Sequence, residues 1–183
     1  MIKNLFTLNY FFFFLFAFQL AFAEEGKMNK ISNRPVVWEF FTDQVMGGVS
    51  RGDLNVIGDS KNHFYRLVGD VSTKNNGGFI QFRAKISGLD KSIRGVSVKV
   101  RGNGEDYYIF LRTTGTFLPW QYYKAAFRTT SDWEILKIDL VDFKRSSNFL
   151  RNSIDADSIK SIGIVAFGKN HKASIDVAMV DFY

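Results

Sequence analysis

The sequence has no cysteine and only two histidines and two prolines in 183 residues. Without cysteine there can be no disulfide, no thiol nucleophile, no haem-thiolate or iron–sulfur ligation and no lipid-modified cysteine anchor, so stability has to come from packing. The histidines, His63 and His171, stand in no metal-ligand spacing, and neither is paired with a serine in a recognisable nucleophile turn. No metal site, no cofactor and no catalytic residue is assigned on these grounds, and a calcium site, which needs no fixed spacing, is left unassigned as well. Charge is also sparse in one respect. The formal net charge is +6, yet the basic residues are scattered as singles and pairs among acids, without the basic tract of a nucleic-acid binder.

Long apolar runs are confined to the N-terminus. Lys3 precedes an apolar stretch from Tyr10 to Phe18, and Ala21-Phe22-Ala23 precedes the acidic pair Glu24-Glu25. A positive start, a short apolar core and small residues at the −3 and −1 positions describe a signal peptide over residues 1–23, cleaved after Ala23. The core falls short of the roughly 20 residues of a membrane span, so no stable span is expected after cleavage. The chain is therefore read as exported, periplasmic or secreted. Residues 24–35 are polar and without periodicity, a flexible lead-in. Residues 36–183 suffice for one domain with a substantial core.

Within that domain apolar and polar residues alternate with period two, the pattern of half-buried strands. Ile80, Phe82, Ala84 and Ile86 alternate with Gln81, Arg83 and Lys85, and Val96, Val98 and Val100 alternate with Ser97, Lys99 and Arg101. Further strands are expected near Val36 to Phe40, Phe64 to Val71, Tyr107 to Arg112, Gln121 to Arg128, Glu134 to Leu140, Ile162 to Phe167 and Ile175 to Phe182. Glycine pairs punctuate the turns. Helix is scarce, with one short turn expected near Asp155 to Lys160, where Asp155 or Asp157 could cap it. Many short strands make an all-β, two-sheet sandwich.

The most distinctive segment runs from Asp43 to Gly52, through Met46, Gly47, Gly48 and Ser50. Adjacent glycines allow positive φ or close backbone approach, and Asp43 and Ser50 can hydrogen-bond a turn. Two readings stand side by side: a tight loop crossing the end of the sandwich with Met46 as a plug, or a loop that meets a ligand or partner. The run Phe117-Leu118-Pro119-Trp120-Gln121-Tyr122-Tyr123 sets aromatic rings beside an amide, the combination that grips a sugar ring or a peptide. Alternation sends Tyr123, Ala125 and Phe127 inward and leaves Trp120, Tyr122 and Lys124 outward. Arg101, Arg112 and Arg128 end or follow strands; two of them converging beside Trp120 could hold a carboxylate or phosphate. Glu39, Asp43 and Glu105 are the acids nearest glycine loops and the candidates for a paired-carboxylate site, although loop acids are usually solvated.

Asp43-Gln44-Val45-Met46-Gly47-Gly48-Val49-Ser50 resembles the signature of the complex I intermediate-associated protein 30 family. Gly77-Gly78-Phe79, Gly95-Val96, Val100-Arg101-Gly102-Asn103-Gly104, Tyr107, Leu111-Arg112, Gln121-Tyr122-Tyr123, Phe127, Trp133 and Ile162-Gly163 agree in order. The family commonly shows Gly-Asp-Gly-Arg where this chain has Gly102-Asn103-Gly104-Glu105. The resemblance implies a galactose-binding-like jelly roll and a non-enzymatic role, since the family's named member is similar to a chaperone of respiratory complex I assembly. For an exported member it implies a binding module with a protein partner, in an assembly or adaptor role. Its partner or ligand site would be drawn from Asp43, Met46, Gly47, Gly48, Ser50, Arg101, Arg112, Trp120, Gln121 and Tyr122. A carbohydrate-binding module is the alternative, carried by Trp120 and Tyr122.

Overall fold

The structure, a computed structural model, describes residues 30–31, 34–59 and 62–183. The expected signal peptide and residues 24–29 lie outside the described residues. Thirteen strands follow in order: β1 (Lys30–Ile31), β2 (Arg34–Pro35), β3 (Trp38–Thr42), β4 (Arg51–Gly58), β5 (His63–Val71), β6 (Phe79–Lys85), β7 (Gly95–Gly102), β8 (Asp106–Thr113), β9 (Tyr123–Arg128), β10 (Glu134–Asp139), β11 (Lys144–Arg145), β12 (Ile159–Phe167) and β13 (His171–Phe182). A five-stranded sheet runs β10-β7-β13-β5-β4 and a six-stranded sheet runs β11-β9-β8-β12-β6-β3, with antiparallel pairing throughout. Among the described residues, no helix is long and apolar enough to cross a membrane.

The alternation read in the sequence places the core. From the six-stranded sheet Ile80, Phe82, Ala84, Tyr107, Ile109, Leu111, Ile162 and Ile164 are buried, and from the five-stranded sheet Leu67, Val96, Val98, Val100, Ile175 and Val177. Burying each of the larger side chains contributes about 1.5–3 kcal/mol, the main support of a domain without disulfides. Trp38, Tyr65 and Phe82 pack as a ring cluster at one edge, with Trp38 and Phe82 centroids 5.0 Å apart.

Four details depart from the sequence expectation. The segment after Gly48 enters an eight-residue edge strand, β4, which pairs β5 along its whole length. Within the lead-in, β1 and β2 pair with each other, two-residue strands too short to carry a periodic signal. The turn expected near Asp155 is a single 3-10 turn, Ala156–Ser158, with Asp155 at the N-cap position. Its carboxylate pairs with Arg151 at 2.7 Å and makes no cap hydrogen bond. Met46 does not plug the sandwich end: it is 62 % exposed, because the 3-10 turn Asp43–Met46 sends Asp43 inward and Met46 outward.

Candidate functional site

The segment Asp43 to Gly52 carries the chain from β3 in one sheet to β4 in the other. Thr42 caps its 3-10 turn, accepting from the Gln44 amide, and Gly47 ends it at φ 87°. Asp43 is fully buried. Its Oδ1 accepts the Ser50 amide at 2.9 Å, and its Oδ2 accepts the Ser50 hydroxyl at 2.5 Å and the amides of Gly78 and Phe79 at 2.6 and 3.3 Å. Ser50 Oγ in turn accepts the Ser72 amide at 2.9 Å. One carboxylate thus fastens the sheet-to-sheet crossing to the start of β6 and, through Ser50, to the end of β5. Burial, the largest influence on the Asp43 carboxyl, pushes its pKa up; the Ser50 hydroxyl and the amides of Gly78, Ser50 and Phe79 outweigh it and hold it below the ordinary carboxylate value. A Cβ on Gly48 or on Gly77 would collide with this carboxylate, which explains the glycines on both sides of it.

Asp43, Gly48 and Ser50 are therefore the rivet of this end of the sandwich, while Val45, Met46 and Val49 are what it shows to solvent. Gly48-Val49-Ser50-Arg51-Gly52 does spell Gly-x-Ser-x-Gly. A nucleophile elbow requires an exposed serine on a strand-to-helix turn, whereas Ser50 is buried, leads into a strand and has its hydroxyl committed to Asp43.

The Trp120 segment lies at the other end of the six-stranded sheet. Arg112, near the end of β8, donates to the Leu118 carbonyl at 2.9 Å, and Arg112 lies level with Ser161 of β12 and Lys85 at the end of β6. The Asp43 turn adjoins the start of β6. The two segments that the sequence would place along one binding edge are separated by the length of β6, seven residues and about 20 Å. Gln121 is buried, its Oε1 accepting the amides of Phe117 and Leu118 at 2.9 and 3.0 Å, so it braces the loop from inside. Trp120 is 62 % exposed.

The three arginines do not converge. Arg101 lies on the five-stranded sheet over the Trp133 ring and shares Asp176 with Arg66, at 2.8 and 2.7 Å. Arg128 faces Asp106 at 3.6 Å. The candidate acids are equally dispersed: Glu39 faces Arg83 at 3.8 Å, Glu105 pairs with Lys169 at 2.6 Å, and Asp43 is enclosed. Asn103, in the loop that departs from the family pattern, accepts the Tyr107 hydroxyl at 2.9 Å and donates to the Lys172 carbonyl at 2.8 Å.

What the structure assembles instead is the outer face of the six-stranded sheet. Tyr122, at the entrance to β9, stacks on Phe110 of β8 with centroids 4.1 Å apart and planes at 9°. Phe167 of β12 stands edge-on to Phe110 at 5.3 Å and to Tyr108 at 5.7 Å. Lys124 Nζ lies 5.2 Å from the Phe167 ring centre. All four rings are half-buried, and burial pushes the Tyr122 hydroxyl pKa up. Alternation located Tyr122 but not Tyr108, Phe110 or Phe167. The available signal was that β8, Asp-Tyr-Tyr-Ile-Phe-Leu-Arg-Thr, is apolar on both faces although its sheet is covered on one only. Next to these rings Gly163 of β12 sits level with Arg83 on one side and Phe110 on the other. Beyond them lies an open basin of about 530 Å³, bordered by Arg83, Lys85, Arg112 and Lys160.

The architecture recurs in solved structures. The family 11 carbohydrate-binding module of the cellulosomal cellulase Lic26A-Cel5E of Clostridium thermocellum is similar with a TM-score of 0.66 and 12 % identity, over 85 % of this chain and 92 % of that one. The Clostridium thermocellum family 11 module in complex with a β-1,3-1,4-mixed-linked tetrasaccharide is similar at a TM-score of 0.66 and 13 % identity, over 84 % and 92 %. An exo-β-agarase is similar at 0.53 and 8 % identity, over 87 % of this chain but 25 % of the agarase. At such identities the likeness is one of fold, the galactose-binding-like jelly roll. No curated protein sequence matches the chain. The sequence itself matches the model for complex I intermediate-associated protein 30 over residues 22–177, through the Asp43 rivet and both sheets, and the chain belongs to that family.

Proposed function

We propose that this chain is a non-catalytic binding module that holds a carbohydrate chain on the outer face of its six-stranded sheet. The observation that carries the reading is the cluster of Tyr108, Phe110, Tyr122 and Phe167, half-buried on the outer face of the sheet and packed against one another. Sugar rings present apolar C–H faces to such a platform, and the tyrosine hydroxyls and neighbouring cations supply directional hydrogen bonds at its rim. The likeness to carbohydrate-binding modules supports this reading through the fold. The dispersal of Glu39, Asp43 and Glu105, each with its own partner, supports binding over hydrolysis by that trio. The apolar run Tyr10 to Phe18 and the Ala21-Phe22-Ala23 site support export, which would bring the module to envelope or extracellular glycans.

A glycan array probed with the folded domain tests the reading: retention on polysaccharides that is lost in Phe110→Ala and Tyr122→Ala supports it, and a folded domain that retains none refutes it. The second reading, a protein partner in an assembly or adaptor role, is favoured by a different observation. Val45 and Met46 are 69 and 62 % exposed on the turn that Asp43 fixes, an apolar tip on a rigid base. Cross-linking from position 46 to a discrete protein in the exported fraction, abolished by Met46→Asp, would favour it.

A further inference from the structure

We infer that the basin bordered by Arg83, Lys85, Arg112 and Lys160 selects an acidic glycan, a polysaccharide whose sugar ring carries a carboxylate or sulfate group; the inference rests on the carbohydrate-binding reading of the adjoining aromatic face.

The register places the cations. Lys85, Ser161 and Arg112 lie level across β6, β12 and β8, and Arg83 lies level with Gly163 and Phe110 one step further along. Two residues along a strand cover about 7 Å and two strand spacings about 10 Å, so the basin and the Phe110–Tyr122 stack lie within one or two sugar rings of each other. Gly163 puts no side chain of its own between Arg83 and Phe110; the Gln81 amide oxygen stands beside it, 3.1 Å from where a Cβ would be, so a polar amide borders the way from the basin to the rings. The remaining walls are Ile86, Ser87, Thr113, Thr116 and Ser161, and no carboxylate lines the basin.

The four charges are poorly compensated from within. Among the described residues, Lys85 and Lys160 have no ion pair. The one carboxylate Arg83 reaches among the described residues is the half-exposed Glu39, at 3.8 Å; its guanidinium also lies over the Phe41 ring at 4.8 Å, and its buried Nε has no hydrogen-bond partner. Arg112 spends one amino group on the Leu118 carbonyl, a neutral acceptor. Burial first, and then the positive charge of Arg83, draw the Arg112 pKa below its ordinary value, and the second of these is a repulsion that a bound anion would relieve. Guanidinium groups recognise planar carboxylates and sulfate oxygens by paired hydrogen bonds. A basin of about 530 Å³ is the size of a small-ligand site, which suits a substituted sugar ring better than the extended backbone of a single-stranded nucleic acid.

The test measures affinity by calorimetry for a uronate polymer, a sulfated galactan and a neutral mixed-linkage β-glucan. The wild-type protein is compared with Lys85→Gln/Lys160→Gln, and with Lys74→Gln/Lys172→Gln, which removes the same charge away from the basin. The expected result is preference for one of the acidic polymers, weakened about tenfold or more by the basin variant and not by the control, and weakened again as salt rises. The uronate and sulfate arms distinguish carboxylate from sulfate. Neutral glucan bound as tightly as either acidic polymer overturns the inference and leaves the carbohydrate reading standing. Absence of binding to all three polymers overturns that reading and the inference with it. Tighter binding of a single-stranded oligonucleotide than of any glycan overturns the inference in favour of a nucleic-acid ligand.

Discussion

The Asp43 carboxylate accepts the Gly78 amide at 2.6 Å across a separation of 35 residues, and with its bonds to Ser50 and Phe79 it joins the crossing loop to strands of both sheets. Asp43→Asn keeps the shape but removes the charge and replaces one acceptor oxygen with an amino group that faces donors. The expected loss is about 2–4 kcal/mol, since hydrogen bonds to buried charged groups exceed neutral ones and the amides left behind stay desolvated. Urea unfolding checks it; a change below about 0.5 kcal/mol would remove the rivet from the account.

The same carboxylate sets an acid limit. The folded-state pKa of Asp43 is lowered, and so is that of Asp176, where burial pushes up but Arg66 and Arg101 pull down more strongly. A lowered folded value means stability that is complete above the ordinary value of 3.8 and is lost as pH falls below it. The thermal midpoint of the wild-type domain should drop below about pH 4, and Asp43→Asn should flatten that drop.

Gly48→Ala should destabilise by more than a surface change, about 2 kcal/mol or more, because the added methyl has only the Asp43 carboxylate to displace. Combining it with Asp43→Asn should cost less than the sum of the two, since both act through one contact. Additivity in the double-mutant cycle would show that the glycine is needed for something else.

Tyr107 is buried, its hydroxyl donating to Asn103 and accepting the Ser174 amide at 2.8 Å, with a pKa pushed up to about 12, chiefly by burial. Tyr107→Phe should cost about 1–2 kcal/mol by leaving the Ser174 amide unpaired. Faster hydrogen exchange at Ser174 would report the opening, and unchanged exchange would contradict it.

Much of this architecture was legible. Alternation located most of the strands and sent Tyr123, Ala125 and Phe127 inward, as they lie. It missed β4 because that edge strand carries Gly52, Asp53, Asn55 and Gly58, exposes most of its side chains, and follows a turn whose glycines mask its start. The aromatic face was legible only at Tyr122, since Phe110 and Phe167 are adjacent only after β8 and β12 pair. The motif from Asp43 to Ser50 was recognisable, but residue types alone do not distinguish an acid that meets a ligand from one that meets four protein donors.

Trp120 illustrates the difference between exposure and placement. Among the described residues it makes no ring contact, whereas Tyr122 lies flat on Phe110. Tyr122→Ala should lower glycan affinity about tenfold and Trp120→Ala less than about threefold, with isothermal titration as the check; the reverse order would shift the site to the loop.

Glycan binding on the outer face of the six-stranded sheet is tested by a residue-resolved amide chemical-shift map recorded while a glycan is titrated into the domain. The expected perturbations centre on Tyr108, Phe110, Tyr122, Gly163 and Phe167, with little change on the five-stranded sheet. Perturbations centred on Val45 to Val49, or on Arg66, Arg101 and Trp133, would contradict it.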